Sequence, residues 1–289
     1  MVVVGTAKNT GKTTAFNALC AVAGRRGIAI AVTSLGRDGE PADALDGEAK
    51  PRVRFAAGTL VALPAGLVPR TPALAILESG GPTALGAVVF ARAMLPVTCE
   101  IGGPPTARAM RSVVRRLTAL TDGPVLVDGA IDRIAPLAGG DDAIVLAAGA
   151  ASGATVSAVA ATAAETVARL QLPGRDPSRE RARVVAIDGA LDAGSAQDLI
   201  AHAAGATVVV NDPTRVTVRG ALLAALRDAV DLRCERPLRI VACTTSPLGR
   251  GVALSAELLV KAVAQATGLP AFDVVSDLAA TPMPNGATP

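Results

Sequence analysis

The feature that most constrains the fold of this chain is a loop close to its N-terminus that contains glycine and lysine. The β-branched run Val2-Val3-Val4 leads into Gly5-Thr6-Ala7-Lys8-Asn9-Thr10-Gly11-Lys12-Thr13-Thr14, and an apolar pattern of helical period follows. This order of strand, loop and helix is the context in which α/β proteins place a phosphate-binding loop. The segment therefore predicts an α/β fold with an anion site at the start of the first helix.

The residue types in this loop suit phosphate chemistry. Gly11 has no Cβ, so its backbone can pass close to a phosphate, and the surrounding backbone N–H groups can point at the anion. Lys12 would reach the β- and γ-phosphates, and the Thr13 hydroxyl would bind Mg²⁺. We therefore expect the nucleotide to be bound by Thr6, Ala7, Lys8, Asn9, Thr10, Gly11, Lys12, Thr13 and Thr14.

The loop departs from the strict Walker A pattern, G-x-x-x-x-G-K-S/T, at one position. Thr6 stands where the first glycine is required, and Gly5 lies one residue earlier. The spacing instead resembles the G-T-x-x-x-x-G-K-T loop of dethiobiotin synthetase-like proteins. The alternative interpretation is a glycine- and threonine-rich turn that binds nothing.

Composition excludes several classes of function. The net charge is only +3 and comes from scattered arginines, and aromatic residues make up 1% of the chain, so nucleic-acid binding is not expected. Residues 143–164 carry no charge, but Ala, Gly, Ser and Thr dominate them, which predicts a strand at 143–147 and a soluble helix instead of a membrane span. Hydrophobic residues make up 51% of the chain, but Trp and Tyr are absent and aromatic residues make up only 1%, so we expect a core of Ala, Val, Leu and Ile.

The cysteines predict a reducing compartment. They show no C-x-x-C spacing and are interpreted as small buried hydrophobic residues: Cys20, Cys99, Cys234 and Cys243. A β run at the very start leads us to expect no signal peptide, and therefore a cytoplasmic protein.

Alternating β runs and helical patterns predict a mostly parallel sheet flanked by helices. Short β-like runs separated by Gly and Pro predict a small antiparallel insertion at about residues 51–101. At 289 residues the chain has room for one large domain or two small ones. We expect a single P-loop α/β domain over residues 1–277, with an alternative internal boundary near 173–183, and a disordered tail at 278–289.

Carboxylates at strand ends are candidates for holding Mg²⁺ opposite the phosphates. Asp128 directly follows the β run at 124–127, and Asp38 follows the run at 28–33. We expect Lys12, Asp38 and Asp128 to be catalytic, and Thr13 to share the metal with the two carboxylates. Two alternatives stay open: Asp38 only shapes a glycine-rich turn, or Asp188 takes the place of Asp128.

Other catalytic arrangements lack support in the sequence. No Ser-His-Asp arrangement or zinc cluster is evident, and the lone His202 lies in an alanine-rich helical stretch, where a surface or cap role is expected. There is no N-K-x-D motif, so adenine is the default base. The cofactors expected are ATP and Mg²⁺.

Two segments together go beyond a generic phosphate loop. They are Gly5–Thr13 and Thr33-Ser34-Leu35-Gly36-Arg37-Asp38-Gly39-Glu40. With Lys50-Pro51-Arg52, Gly58-Thr59-Leu60 and Asp128-Gly129-Ala130, they resemble the small P-loop subunit of the lysine/ornithine aminomutase reactivase over roughly residues 2–135. The resemblance implies an accessory ATPase that helps an adenosylcobalamin-dependent aminomutase exchange damaged cobalamin, alone or with a second reactivase subunit. It also implies that Asp38 and Asp128 hold the metal.

A second resemblance, to dethiobiotin synthetases and cobyrinate amidotransferases, supports the same P-loop fold. Their Glu-Gly-Ala-Gly-Gly strand end matches the position of Asp128-Gly129-Ala130, which Ile131-Asp132 follows here. The alternative functions are therefore an ATP-dependent ligase or kinase of a small carboxylate, and a nucleotide-binding module with little turnover. The region 51–101 distinguishes them, because a ligase would use it to wall a pocket and a partner-binding protein would expose an apolar patch there.

Overall fold

The computed structural model describes residues 1–35, 52–129, 143–249 and 251–283. In these residues the chain is an α/β protein with a mostly parallel mixed sheet of ten strands, six α-helices and small additional antiparallel sheets. The predicted fold class is confirmed at this level. The described residues divide into two compact units, unit 1 (1–5 and 11–129) and unit 2 (6–10 and 143–283).

Unit 1 contains the strand before the loop and the helix after it. Its helices are α1 (Lys12–Arg25) and α2 (Ala107–Leu120). Its strands are β1 (Val2–Gly5), β2 (Ala31–Ser34), β3 (Val53–Phe55), β4 (Leu60–Pro64), β5 (Leu74–Thr83), β6 (Gly86–Ala93), β7 (Val97–Cys99) and β8 (Val125–Asp128). They are ordered β1-β8-β2-β4-β6-β5, and the first four are parallel.

Both helices of unit 1 bury one apolar face. In α1 the buried side chains are Ala15, Phe16, Cys20 and Ala23, which recur at helical spacing. In α2 the buried side chains include Met110, Val113 and Leu117, whereas its arginine-rich face is exposed. The Thr106 hydroxyl caps α2 by accepting a hydrogen bond from the Ala109 N–H at 3.3 Å. Apolar periodicity therefore positions both helices on the sheet.

The predicted insertion at 51–101 is only partly a separate β region. β3 and β7 form a two-stranded antiparallel sheet of their own. β4 instead runs parallel to β2, and β6 and β5 extend the sheet in antiparallel fashion. The ten-residue β5 lies at the end of this strand order and was not predicted. Its register shifts twice against β6, between Ile76 and Glu78 and between Ser79 and Pro82.

Unit 2 contains four helices: α3 (Val156–Leu170), α4 (Ala193–His202), α5 (Gly220–Ala229) and α6 (Ala256–Thr267). Its strands are β9 (Ala143–Gly149), β10 (Val184–Ile187), β11 (Thr207–Val210), β12 (Asp231–Cys234), β13 (Arg239–Ser246), β14 (Leu248–Gly249), β15 (Val252–Ala253), β16 (Ala271–Asp273) and β17 (Leu278–Ala280). β13 pairs in parallel with β9 and β16, and β17 is antiparallel to β16. β14 and β15 form a small antiparallel pair.

The alternation that begins near residue 183 forms a separate sheet. β10, β11 and β12 are parallel and pair only with one another among the described strands. Their core includes Leu191, Leu199, Val208 and Leu226, all buried. The predicted alternation of strands and helices does not reveal which sheet these strands join, because sheet membership depends on long-range pairing.

Two further expectations are settled by the described residues. None of the helices in this part of the chain is long and apolar enough to cross a membrane. Residues 143–164 form β9 and the start of α3, as predicted. The predicted tail, 278–289, is corrected in part, because its first three residues form β17 through backbone pairing with β16.

All four cysteines are buried free thiols, as expected. Burial is the main cause that raises the pKa of Cys20 and Cys234 to about 12 and that of Cys99 and Cys243 to about 11. Because the thiolate is the reactive form, these cysteines serve as core side chains.

Candidate phosphate-binding and metal-binding site

The backbone between β1 and α1 turns sharply at two residues. Asn9 and Gly11 have positive φ angles of 62° and 88°. Gly11 adopts this left-handed conformation without strain, and it is the residue that precedes the first helical turn. The Ala15 N–H donates the first helical hydrogen bond to the Gly11 carbonyl at 2.9 Å. As a result, Lys12 and Thr13 are the first two residues of α1.

The N-terminus of α1 has no side-chain cap. Gly11 supplies no side chain to accept from the first-turn N–H groups, and that turn carries no acidic residue. Four other described helices have an N-cap residue whose side chain accepts a hydrogen bond from an N–H group of the first turn. These residues are Thr106, Thr155, Asp192 and Ser255. Uncapped N–H groups and the helix dipole together favour an anion at this point. The Lys12 cation in the same turn adds to that preference.

The loop residues 6–10 belong to unit 2, where they contact the end of β9. The Thr6 N–H donates to the Ala147 carbonyl at 2.9 Å. Thr10 is 1% exposed, and its hydroxyl donates to the Ala7 carbonyl at 3.0 Å. A Cβ on Gly149 would lie 3.2 Å from the Thr10 Cα, which is closer than most such contacts. Gly149 therefore allows the loop to approach the strand, a role that the sequence did not reveal.

Asp128 lies where the sequence predicts, at the end of the strand beside β1. It is the last residue of β8, in parallel register with Val3 of β1 and Ser34 of β2. The Leu35 N–H donates to the Asp128 carbonyl at 2.8 Å, and the Gly129 N–H donates to the Val3 carbonyl at 3.0 Å. These backbone bonds fix the strand end that presents the carboxylate.

The environment of Asp128 makes its negative charge unfavourable. Burial raises the pKa of this carboxyl group from 3.8 to about 6, and the positive charge of Lys12 acts in the opposite direction. The group is therefore mostly ionised at neutral pH, but its charge lacks the solvation that water gives to an exposed carboxylate. A cation bound beside it would lower the free energy of the ionised form, and perturbed carboxyl groups of this kind are frequent at functional sites.

The donor set fits a magnesium ion that a nucleotide helps to hold. Mg²⁺ prefers oxygen ligands and usually keeps several waters and substrate phosphates in its coordination shell. The Thr13 hydroxyl and the Asp128 carboxylate supply two such oxygens. Within the described ranges there is no group of three or more His, Cys, Asp and Glu side chains that could hold a metal ion without a nucleotide.

The other predicted candidates differ in what the structure says of them. Asp38 and Glu40 lie outside the described residues. Asp188 follows β10 in the three-stranded sheet, whereas β8 pairs directly with β1, which favours Asp128 over Asp188. His202 is the exposed last residue of α4, and its Nδ1 lies 3.1 Å from the Asp198 carbonyl oxygen, in agreement with the predicted surface role.

The sequence does not predict the role of two residues that pack near the strand end that carries Asp128. The Ser34 hydroxyl donates to the Asp128 carbonyl at 3.3 Å, and Ser34 is buried. Gly103 lies so close to β2 that a Cβ would be 1.8 Å from the Ser34 carbonyl oxygen. No local sequence pattern reveals this close approach, because it depends on tertiary structure.

Comparison with known proteins gives no matching family, no similar curated protein and no similar solved structure. The family resemblances that the motifs indicate therefore remain predictions. Function has to be inferred from the loop, the helix terminus and the strand ends.

Proposed function

We propose that this chain is a P-loop NTPase that binds ATP with Mg²⁺ and hydrolyses it. The observation that carries the proposal is the uncapped N-terminus of α1, whose first residues are Lys12 and Thr13 and whose unit also contains the half-buried Asp128, with its raised carboxyl pKa. Phosphoryl transfer depends mostly on positioning and electrostatics, and these groups supply both.

Each group has a distinct task in this proposal. The N–H groups of the first turn of α1 would hold the phosphates, and Lys12 would neutralise charge on the transferred phosphoryl group. Thr13 and Asp128 would hold Mg²⁺ directly or through water, and the bound ion would reduce repulsion between the phosphates. Ser34 and Gly103 would position the strand end that carries Asp128.

The proposed role of the ATPase is to reactivate an adenosylcobalamin-dependent aminomutase, alone or with a second subunit. The resemblance of residues 2–135 supports it, and so do four exposed apolar side chains in unit 1. Ile76 and Leu77 of β5 and Met94 and Leu95 after β6 are 62%, 45%, 55% and 59% exposed. β5 lies at the end of the strand order and pairs only with β6 among the described strands. Exposed apolar side chains on an edge strand are typical of a partner-binding surface.

One observation favours the alternative, an ATP-dependent ligase or kinase of a small carboxylate. The inserted strands β5 and β6 and the helix α2 wall a cavity of about 600 Å³. A pocket in this region is what a ligase requires, and its size lies within the range of small-molecule sites.

The test is ATP hydrolysis by the full chain with Mg²⁺, with and without an aminomutase that contains inactivated cobalamin. Slow basal turnover that the mutase accelerates is the expected result. Turnover that ignores the mutase but responds to a small carboxylic acid would support the ligase, and ATP binding without turnover would indicate a binding module only.

Variants of two of these exposed apolar side chains make this test specific. We expect the double variant Ile76→Glu/Leu95→Glu to keep basal turnover and to lose the acceleration by the mutase. Val275→Glu is the matched control, because Val275 is 75% exposed and lies in unit 2. Equal acceleration of both variants would contradict a partner site on β5.

A further inference from the structure

A cavity of about 600 Å³ in unit 1 lies outside the phosphate loop and is bounded by β5, β6 and α2. Its apolar wall includes Val88 and Phe90 of β6 and Val113 of α2. All three side chains are buried, with exposures of 2%, 4% and 6%. A partly enclosed space of this size, with one apolar wall, suits a small organic molecule.

The irregular part of β5 keeps this cavity open. Gly80 and Gly81 line it, and they fall in the stretch where β5 shifts register against β6, between Ser79 and Pro82. A Cβ on Gly80 would lie 2.9 Å from Cε2 of Phe90, so a larger residue there would displace the aromatic ring. A Cβ on Gly81 would contact nothing within 4 Å, which shows how much space lies beside it.

The charged side chains that line the cavity carry a net positive charge. They are Glu78, Arg108 and Arg116. Glu78 and Arg116 form a bidentate ion pair, in which Arg116 Nη2 donates to Glu78 Oε2 at 2.6 Å. Arg108 forms no ion pair with any part of the chain that the structure describes. Two arginines and one glutamate therefore leave a charge of +1, located on Arg108.

The position of Arg108 in α2 strengthens the preference for an anion. It is the second residue of the helix, and the first turn contains no acidic residue. A helix dipole disfavours a cation in the first turn, and a bound anion would offset that repulsion. The neighbouring Thr106 caps the helix as an acceptor, so its hydroxyl proton is available to donate to a ligand.

We propose that this cavity binds a small amphipathic anion. Its carboxylate or phosphate group would pair with Arg108, and its apolar body would pack against Val88, Phe90 and Val113. The site is independent of the proposed ATPase activity, because none of these residues belongs to the phosphate loop or to the metal candidates.

The test is isothermal titration calorimetry of the full chain with four probes: hexanoate, hexyl phosphate, hexanol and acetate. We expect one of the two amphipathic anions, or both, to bind at least tenfold more tightly than hexanol and acetate, which each supply only half of the recognition. Comparison of hexanoate with hexyl phosphate then distinguishes a carboxylate ligand from a phosphate ester. Equal affinity for hexanol and for both anions, or no binding of either anion at millimolar concentration, would overturn the proposal.

Matched variants locate the site. Arg108→Ala should weaken binding of the preferred anion at least tenfold, whereas Arg111→Ala, on the exposed part of the same helix, should not change it. Ala109→Leu should also weaken binding, because it adds volume at the cavity wall with a residue of high helix propensity. Lys12→Ala should retain the affinity. Loss of binding in Lys12→Ala, or equal losses in Arg108→Ala and Arg111→Ala, would show that the anion binds elsewhere.

Discussion

At the scale of single residues, Lys12 should separate nucleotide binding from folding. Its side chain lies at the start of α1 and is not part of the buried core. Lys12→Ala should therefore fold normally but bind ATP at least tenfold more weakly, since a charge-assisted hydrogen bond contributes about 1.5–3 kcal/mol. Titration with ATP and circular dichroism measure the two effects. Lys261→Ala removes an exposed lysine of unit 2 and serves as the control, and unchanged ATP affinity in folded Lys12→Ala would exclude the phosphate loop.

The pKa of Asp128 predicts a dependence of stability on pH. Its folded pKa, about 6, lies above the ordinary value of 3.8, so the folded state binds the proton more tightly. Protonated Asp128 therefore stabilises the folded state by up to about 3 kcal/mol below pH 3.8. This stabilisation is lost as the pH rises through 6. Without nucleotide and Mg²⁺, Asp128→Asn should gain stability relative to wild type between pH 4 and 7. Urea unfolding at several pH values tests this, and a difference that is constant with pH would contradict it.

The same substitution tests the metal role. Asp128→Asn retains the shape of the side chain but removes the charge that would attract Mg²⁺. We expect it to lower Mg²⁺-dependent turnover more than it lowers ATP affinity, because the loop and Lys12 still hold the phosphates. Steady-state hydrolysis and ATP titration on the same preparation give both numbers. Wild-type turnover in Asp128→Asn would move the metal role to Asp38 or Asp188.

At the scale of elements, Gly103 lies just before α2 and packs closely against the end of β2. A Cβ there would overlap the Ser34 carbonyl oxygen at 1.8 Å, so Gly103→Ala must displace one of these two segments. We expect a loss of about 1–3 kcal/mol of unfolding free energy and reduced turnover, since Ser34 also bonds the backbone of Asp128. Gly189→Ala is the control, because a Cβ there contacts nothing within 4 Å. Equal unfolding free energies for the two variants would show that the close approach is not a constraint.

The accuracy of the sequence-based predictions also varies by element. The sequence marks β11 clearly, because four β-branched residues lie between an alanine- and glycine-rich turn and the polar Asn211. β5 was missed, since Gly80, Gly81 and Pro82 resemble a turn and most of its side chains are exposed, so no apolar pattern marks it. Asp128 was found from its place at a strand end. Ser34, Gly103 and Gly149 were not, because their roles depend on approaches between segments distant in sequence.

At the scale of the whole molecule, ligand binding should appear as thermal stabilisation. MgATP at 100 times its dissociation constant would stabilise the folded state by about 2.7 kcal/mol. For a chain of 289 residues that corresponds to a rise of roughly 4–5 °C in the unfolding midpoint, which differential scanning calorimetry detects readily. In Lys12→Ala, at the same MgATP concentration, a tenfold weaker site should reduce this rise to about half or less.

Thermal shifts with both ligands also separate the two proposed sites. The amphipathic anion that binds best, hexanoate or hexyl phosphate, should raise the midpoint in Lys12→Ala as in wild type, and MgATP should raise it in Arg108→Ala. Each variant would then show one reduced shift and one unchanged shift, because the phosphate loop and the cavity use different side chains. If Lys12→Ala lost both shifts, the anion would bind at the phosphate loop. If Arg108→Ala kept both, Arg108 would play no part in anion binding, and the phosphate loop would still account for the response to MgATP.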